Sequence, residues 1–283
     1  VAAREEVAQT HPNVTALFLE VIQGEGGINV ARVLHRLGSN CLALYPAGGA
    51  TGHRLGQLLG QEQVRHRGLP IAGETRESFS VHETSSGKDF RFVLPGPTLR
   101  PTEWQACLAG VGACESPPAW VVASGSLPPG VPDDLYAQLA RLARARGSRV
   151  VVDTSGPALA AALAEGVYLV KPSLRELREL TGMPLDSDAQ RLEAARQIIA
   201  RGQAELVALS LGEEGALLVT VGQALRARAV PVTVASTIGA GDSFVGGLVW
   251  ALGRQAGLEE AFRYAMAAAA AALLTSGTAL CQP

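Results

Sequence analysis

Trp120-Val121-Val122-Ala123, Val150-Val151-Val152 and Tyr168-Leu169-Val170 are three short apolar runs set apart by stretches of a different period. Between the first two lies Asp133–Arg146, where Leu135, Leu139 and Leu142 share one face at helical spacing; between the second and third lies the alanine- and leucine-rich Pro157–Glu165. Runs this short and β-branched read as strands, and the segments between them as helices. Strands alternating with helices of that length build βαβ units, hence a largely parallel sheet with helices on both faces. The rhythm continues through helices over Ser173–Leu180 and Asp188–Ala200, a strand over Leu206–Leu209, and two closing helices, Gly241–Leu252 and Leu258–Leu274. Upstream, Cys41–Leu44 reads as a strand, and Val30, Val33, Leu34 and Leu37 as one face of a helix.

One region breaks the pattern. Ser78–Glu83 and Phe90–Leu94 alternate at period two with only the turn Ser85-Ser86-Gly87-Lys88 between them, which makes a hairpin. With Leu17–Val21 upstream, it forms either a small separate sheet projecting from the main body or an edge of the main sheet. The expectation is one domain over 1–283, with the small sheet drawn from about 14–23 and 77–95.

Composition narrows the function classes. The 283 residues are 47% hydrophobic and 18% charged with a net charge of −2, which excludes a disordered chain and argues against binding to nucleic acid or an anionic membrane surface. No apolar run is long enough to span a bilayer, and the first residues lack the basic start and apolar stretch of a signal peptide. Cys41, Cys107, Cys114 and Cys281 are scattered, with no paired spacing and no histidine at ligand distance in sequence. A reduced, cytoplasmic enzyme or binding protein is expected.

Four segments can carry chemistry. Thr237-Ile238-Gly239-Ala240-Gly241-Asp242-Ser243-Phe244 opens a helix, where free amides and the helix dipole favour an anion. Asp242 there is badly placed to bind phosphate and well placed to take a proton from an attacking hydroxyl. Taken alone, such a stretch is far more often a glycine turn with an aspartate cap. No Gly-Lys-Ser/Thr follows it, and Phe244 stands where a dinucleotide fingerprint needs glycine. Gly24 to Arg32 is a glycine cluster opening a helix, where backbone amides and Asn29 could hold sugar hydroxyls; by itself it reads more readily as a connection with an asparagine cap. Ser124 to Gly130 and Ala47 to Gly52 are small-residue loops after strands, the place where open parallel sheets bind ligands. Val170-Lys171-Pro172-Ser173-Leu174-Arg175-Glu176 runs from strand to helix, so that Lys171 could reach a nucleotide phosphate and Glu176 a magnesium ion through water. A solvated lysine and a dipole-complementing glutamate are the plainer readings. Ser210 to Gly215 follows the next strand as a βα or hairpin loop.

In this order, the motifs resemble the ribokinase/phosphofructokinase-B family of sugar kinases, over about Gly24 to Cys281. Pro46 to Gly52, Phe90 to Gly96, Ser124 to Val131, Val207 to Ala216 and Gly277-Thr278 with Leu280-Cys281 are similar to the branch that phosphorylates fructose 6-phosphate at O1. The resemblance implies a ribokinase-like three-layer α/β sandwich with a small β-sheet lid that pairs two subunits into a homodimer. It implies Asp242 as catalytic base with Gly239, Ala240 and Gly241 as anion hole. Gly24, Asn29 and Ser126 would bind the sugar phosphate, with Arg76 on its phosphate. Lys171, Glu176, Ser210, Gly212, Gly215 and Thr237 would serve ATP and Mg2+. Kinases of fructose 1-phosphate or tagatose 6-phosphate often carry lysine in the glycine cluster where Gly26 stands here; they, and a sugar-phosphate or nucleotide binding protein with impaired catalysis, are the alternatives. The sequence departs from the family at Glu25, at Ser173 in place of asparagine, and at Thr275 and Ala279 of a potassium-site pattern. No aspartate precedes Asp89 and no lysine precedes Lys88, so the N-terminal stretch reads as either shortened or incompletely represented.

Overall fold

In the strand over Arg149–Asp153, Val150 and Val152 enter one core while Val151 enters another. Both faces are thus covered, which is why the run is apolar throughout instead of alternating. The computed structural model describes residues 16–19, 26–83, 88–94, 96–275, 277 and 279–282. In chain order its strands are β1 (Ala16–Leu19), β2 (Cys41–Ala47), β3 (His66–Pro70), β4 (Ser78–Glu83), β5 (Lys88–Val93), β6 (Trp120–Ser124), β7 (Arg149–Asp153), β8 (Val167–Val170), β9 (Ala204–Ser210), β10 (Ala216–Val219) and β11 (Ala224–Ala227). Its helices are α1 (Gly26–Arg36), α2 (Gly49–Gln61), α3 (Pro101–Gly112), α4 (Leu135–Ala145), α5 (Gly156–Glu165), α6 (Leu174–Thr181), α7 (Asp188–Ala200), α8 (Ala240–Gly253) and α9 (Leu258–Leu273).

Among the described residues, nine strands form the main sheet in the order β11-β10-β9-β8-β7-β6-β1-β2-β3. β10 runs antiparallel to both its neighbours; the other pairs are parallel. Helices α3 to α7 cover one face, and α1, α2, α8 and α9 the other. The order reverses between β1 and β6, since the chain proceeds from β1 outward to β3 and then restarts at β6 on the other side. Ligands in open α/β sheets settle outside the carboxyl ends of strands at such a reversal. On the β1 side that end leads toward α1, and on the β6 side it is Ser124.

Among the described residues, β4 and β5 pair only with each other, with Ser78 opposite Val93 and Glu83 opposite Lys88, as a separate two-stranded sheet. Of the residues 14–23 expected in that small sheet, 14, 15 and 20–23 lie outside the described residues, and for 16–19 the expectation needs correction. Ala16–Leu19 lies inside the main sheet, Ala16 opposite Cys41 on one side and Trp120 on the other. An inner position satisfies the backbone groups of a short strand on both edges, which a hairpin flank cannot do. The small-residue loop expected over 47–52 is also corrected. Strand β2 runs through Ala47 and, after the extended N-cap Gly48, α2 begins at once. Strand β3 escaped the apolar pattern because it is an edge strand, with His66, Arg67 and Pro70 that suit an exposed flank.

Helix α8 packs close to α1. A Cβ added to Gly246 would lie 2.4 Å from Val33 Cγ1, so only glycine lets the two helices approach this far. That approach brings the start of α1 against the start of α8.

Candidate active site

The site is built where α1, α8 and the ends of β6, β7 and β8 converge. Helix α8 opens from Gly239, which holds the left-handed conformation (φ 76°, ψ 2°) that glycine adopts without the Cβ clash. Amides of the first helical turn, at Ala240 and Gly241, have no intrahelical acceptor and sit at the positive end of the helix dipole. Asp242 is on this turn, partly buried. Asn29, on the first turn of α1 and only 2% exposed, donates from Nδ2 to Asp242 Oδ2 at 2.9 Å. Gly26 closes the floor: a Cβ there would stand 2.5 Å from Ser124 Oγ and 3.4 Å from Asp242 Oδ1.

Lys171 reaches this cluster from the end of β8. Its Nζ lies 3.7 Å from where a Cβ on Gly241 would be, and it pairs with Asp153 Oδ1 at 3.0 Å. The lysine side chain is 8% exposed and that of Asp153 15%. Burial acts to strip the proton from Lys171, but Asp153, Glu176 and Asp242 together outweigh it and hold the ammonium above its ordinary value. Burial pushes the Asp153 carboxyl up, against the pull of Lys171. Lys171 is therefore a fixed cation beside an anion-attracting helix end.

Glu176 is partly committed. Its Oε2 accepts from Ser173 N at 2.7 Å while Ser173 Oγ accepts from Glu176 N at 3.3 Å, a reciprocal cap that starts α6. Its Oε1 lies 3.7 Å from Arg175. Ser173 thus anchors this glutamate. Among the described residues, no group of three or more His, Cys, Asp or Glu side chains could hold a metal by itself. One water-bridging carboxylate beside a phosphate site suits magnesium, which keeps most of its waters and is bound mainly through substrate phosphates.

The contacts thus gather Gly239, Gly241, Asp242, Asn29 and Lys171, with Glu176 felt electrostatically by Lys171. Ser210 joins from β9, donating from N and Oγ to the Pro172 carbonyl at 3.0 and 3.4 Å. Other expected residues stand outside this cluster. Ser126 is exposed in the loop after β6, and Thr237 is exposed two residues before the α8 cap. Gly212 is exposed at the start of a single 3-10 turn. Gly215 is buried beneath β11, where a Cβ would lie 2.1 Å from the Ala227 carbonyl oxygen, so it serves the hairpin's packing. Arg76 donates to the Leu94 carbonyl at 3.3 Å, at the base of the β4–β5 hairpin. Gly24 lies outside the described residues. Asp153 was missed in the sequence, although Val150-Val151-Val152-Asp153 places a carboxylate at a strand's carboxyl end by the rule that drew attention to Ser124.

Gly239→Ala tests the helix start. The left-handed conformation costs a side chain about 1–2 kcal/mol, and the new Cβ would sit 2.3 Å from Leu280 Cδ2. A drop in melting temperature is expected together with a loss of turnover of roughly tenfold or more, because the anion hole must shift to relieve the clash. Thermal unfolding and steady-state kinetics on the same preparation check both.

A partly buried carboxylate at a helix start, with two amides and a buried ammonium alongside, can take a proton from a hydroxyl while stabilising charge on a transferring phosphoryl group. Comparison with known proteins agrees. Residues 20–283 match the profile of the pfkB family carbohydrate kinases. The chain is 47% identical over 258 residues to the ATP-dependent 6-phosphofructokinase isozyme 2 of Mycobacterium tuberculosis H37Rv, covering 91% of this chain and 76% of that protein. It is 40% identical over 237 residues to the 1-phosphofructokinase of Xanthomonas campestris pv. campestris, covering 81% and 73%. The crystal structure of phosphofructokinase-2 from Escherichia coli in complex with potassium superposes with a TM-score of 0.88 at 39% identity, over 95% of each chain.

Proposed function

The chain belongs to the pfkB family of carbohydrate kinases, phosphotransferases that act on an alcohol, and from that premise we propose that it transfers the γ-phosphoryl group of ATP to O1 of fructose 6-phosphate. The observation that carries the reading is the Asn29-held Asp242 carboxylate at the N-terminus of α8, with the charged Lys171 beside Gly241. Asp242 accepts the proton of the sugar hydroxyl as its oxygen bonds to phosphorus and the bond to the departing ADP oxygen breaks. Asn29, by holding Oδ2, fixes the carboxylate plane during that transfer. The amides of Ala240 and Gly241 and the Lys171 ammonium meet the phosphoryl oxygens, where charge is spread in the transition state.

The remaining residues take supporting parts. Gly24, Asn29 and Ser126 bind sugar hydroxyls and Arg76 the sugar's phosphate; Ser210, Gly212 and Thr237 border the nucleotide, and Gly215, packed beneath β11, shapes the loop that carries Gly212. Glu176 would hold Mg2+ through water, and when bound the ion screens the charge of the phosphates. The exposed Phe92 and Leu94, 47% and 46% accessible at the end of the hairpin, support the lid as the surface that pairs two copies of the chain. Gly26 favours fructose 6-phosphate over fructose 1-phosphate or tagatose 6-phosphate, since it stands where the latter kinases often carry lysine, and a Cβ there would meet Ser124 Oγ at 2.5 Å.

A coupled ADP-release assay with magnesium-ATP tests this, comparing the three sugar phosphates. Highest kcat/KM on fructose 6-phosphate is expected. Preference for either competitor reassigns the substrate within the family, and saturable binding with no turnover on any overturns the kinase reading.

A further inference from the structure

Glu62 caps the C-terminal end of α2, outside the cluster just described, yet two lines of contact run from it into the two halves of the site. Its carboxylate accepts from Arg32 Nε at 3.1 and 2.9 Å and from Arg32 NH2 at 2.6 Å, while Arg36 NH2 lies 3.4 Å away. Arg32 and Arg36 are four residues apart on α1 and would repel each other; one carboxylate between them holds both. The hydrogen bonds from Arg32 keep the Glu62 carboxyl below the usual carboxylate range, so it is ionised at neutral pH.

The first line ends on the base. Arg32 NH1 donates to Asn29 Oδ1 at 3.3 Å, and Asn29 Nδ2 donates to Asp242 Oδ2 at 2.9 Å. A carboxamide has an accepting end and a donating end of nearly equal shape. A donor fixed at the oxygen end selects the orientation in which the NH2 faces Asp242; the flipped amide would set two acceptors against each other. The second line ends on the anion hole. Arg36 NH1 donates to the carbonyls of Ala279 and Cys281, the latter at 3.1 Å. The residue clasped between them, Leu280, is fully buried with φ 59° and packs against Gly239.

We propose that Glu62 is a positioning residue of the kinase site, acting through Arg32 on the orientation of Asn29 and through Arg36 on the Leu280 backing of Gly239. The assignment of these effects to turnover rests on the proposed function. Glu62 is about one-third exposed, and ion pairs of that exposure contribute little to folding. Its removal is expected to move alignment more than stability.

The test combines kinetics with a direct view of Asn29. Glu62→Gln and Arg32→Gln are each expected to lower kcat roughly tenfold, within the loss of up to about 10²-fold that a small misplacement can cause. KM for both substrates should stay within about twofold, the pattern of a lost transition-state interaction. Arg32→Lys, which keeps a donor, should recover most of the loss. In an Asn29→Ala background, Arg32→Gln should cost nothing more, because its target is gone. The side-chain NH2 signals of Asn29, assigned by their loss in Asn29→Ala, should be slow to exchange in the unaltered protein and lose that protection in Glu62→Gln and Arg32→Gln. Unchanged kcat in both variants, or an equal penalty for Arg32→Gln with and without Asn29, would overturn the proposal. If the unaltered protein turns over no sugar phosphate, the function fails by itself and the Asn29 signals decide the positioning: protection kept in both variants overturns it.

Discussion

Asp242→Asn lowers kcat by roughly 10²–10⁴-fold, the usual contribution of a positioned general base. The substitution keeps the shape of the side chain and an oxygen able to accept from Asn29 Nδ2, which lies 2.9 Å from the native carboxylate. What it removes is the capacity to take a proton. It also removes a negative charge from the first turn of α8, an interaction worth about 0.3–1 kcal/mol at a helix start. The melting temperature is therefore expected to fall by only a few degrees while turnover collapses, and KM for the nucleotide to change little, since Lys171 and the helix amides are untouched. The check is steady-state kinetics on the variant beside its thermal unfolding curve. A variant within tenfold of native kcat would refute the role of Asp242, because no other carboxylate among the described residues contacts Asn29. A large loss of both stability and turnover would instead assign Asp242 a structural role at the cap.

The parts of this site that could be read in the sequence are those whose signal is local. The strand over 120–124 and the valines at 150–152 announce themselves by unbroken apolar character, and the chemistry-bearing loops by small or polar residues directly after them. The glycine-rich helix start around Gly239 is equally local, whereas the reciprocal cap of Ser173 and Glu176, though just as local, went unread. Most of what stayed hidden depends on partners far apart in the chain. Asn29 and Asp242 are separated by 213 positions, and nothing in either segment names the other. The four-residue β1 carries apolar character but no information about which strands will flank it, so its place inside the main sheet, third from the β3 edge, came only from the pairing with β2 and β6. Strand β3 fails for the opposite reason, since an edge strand exposes its flank and needs no apolar alternation. Asp153 had a local signal at a strand end, but its meaning depends on Lys171 reaching it from the next strand.

That pair yields the largest expected change in stability. Lys171→Met leaves the Asp153 carboxylate enclosed without its counter-charge, and breaking a buried ion pair from one side costs about 3–5 kcal/mol. Burial already pushes the Asp153 carboxyl up in the native protein, with Lys171 opposing it. With the ammonium gone, the folded-state value rises further above the unfolded one. The folded protein then holds more protons than the unfolded chain, so stability falls as pH rises through the folded-state value and is regained at lower pH. The gap in denaturant stability between Lys171→Met and the native protein should be wider at neutral pH than at acid pH and close as pH falls into the ordinary carboxylate range. Asp153→Leu combined with Lys171→Met removes both charges, and replacement of a buried pair by apolar groups is often neutral or better. The double variant should recover most of the lost stability and none of the turnover, because the cation beside Gly241 is still missing. Recovery of both would show that Lys171 serves only to neutralise Asp153. A gap that stays the same as pH falls through the ordinary carboxylate range would show that Asp153 is not the group left uncompensated.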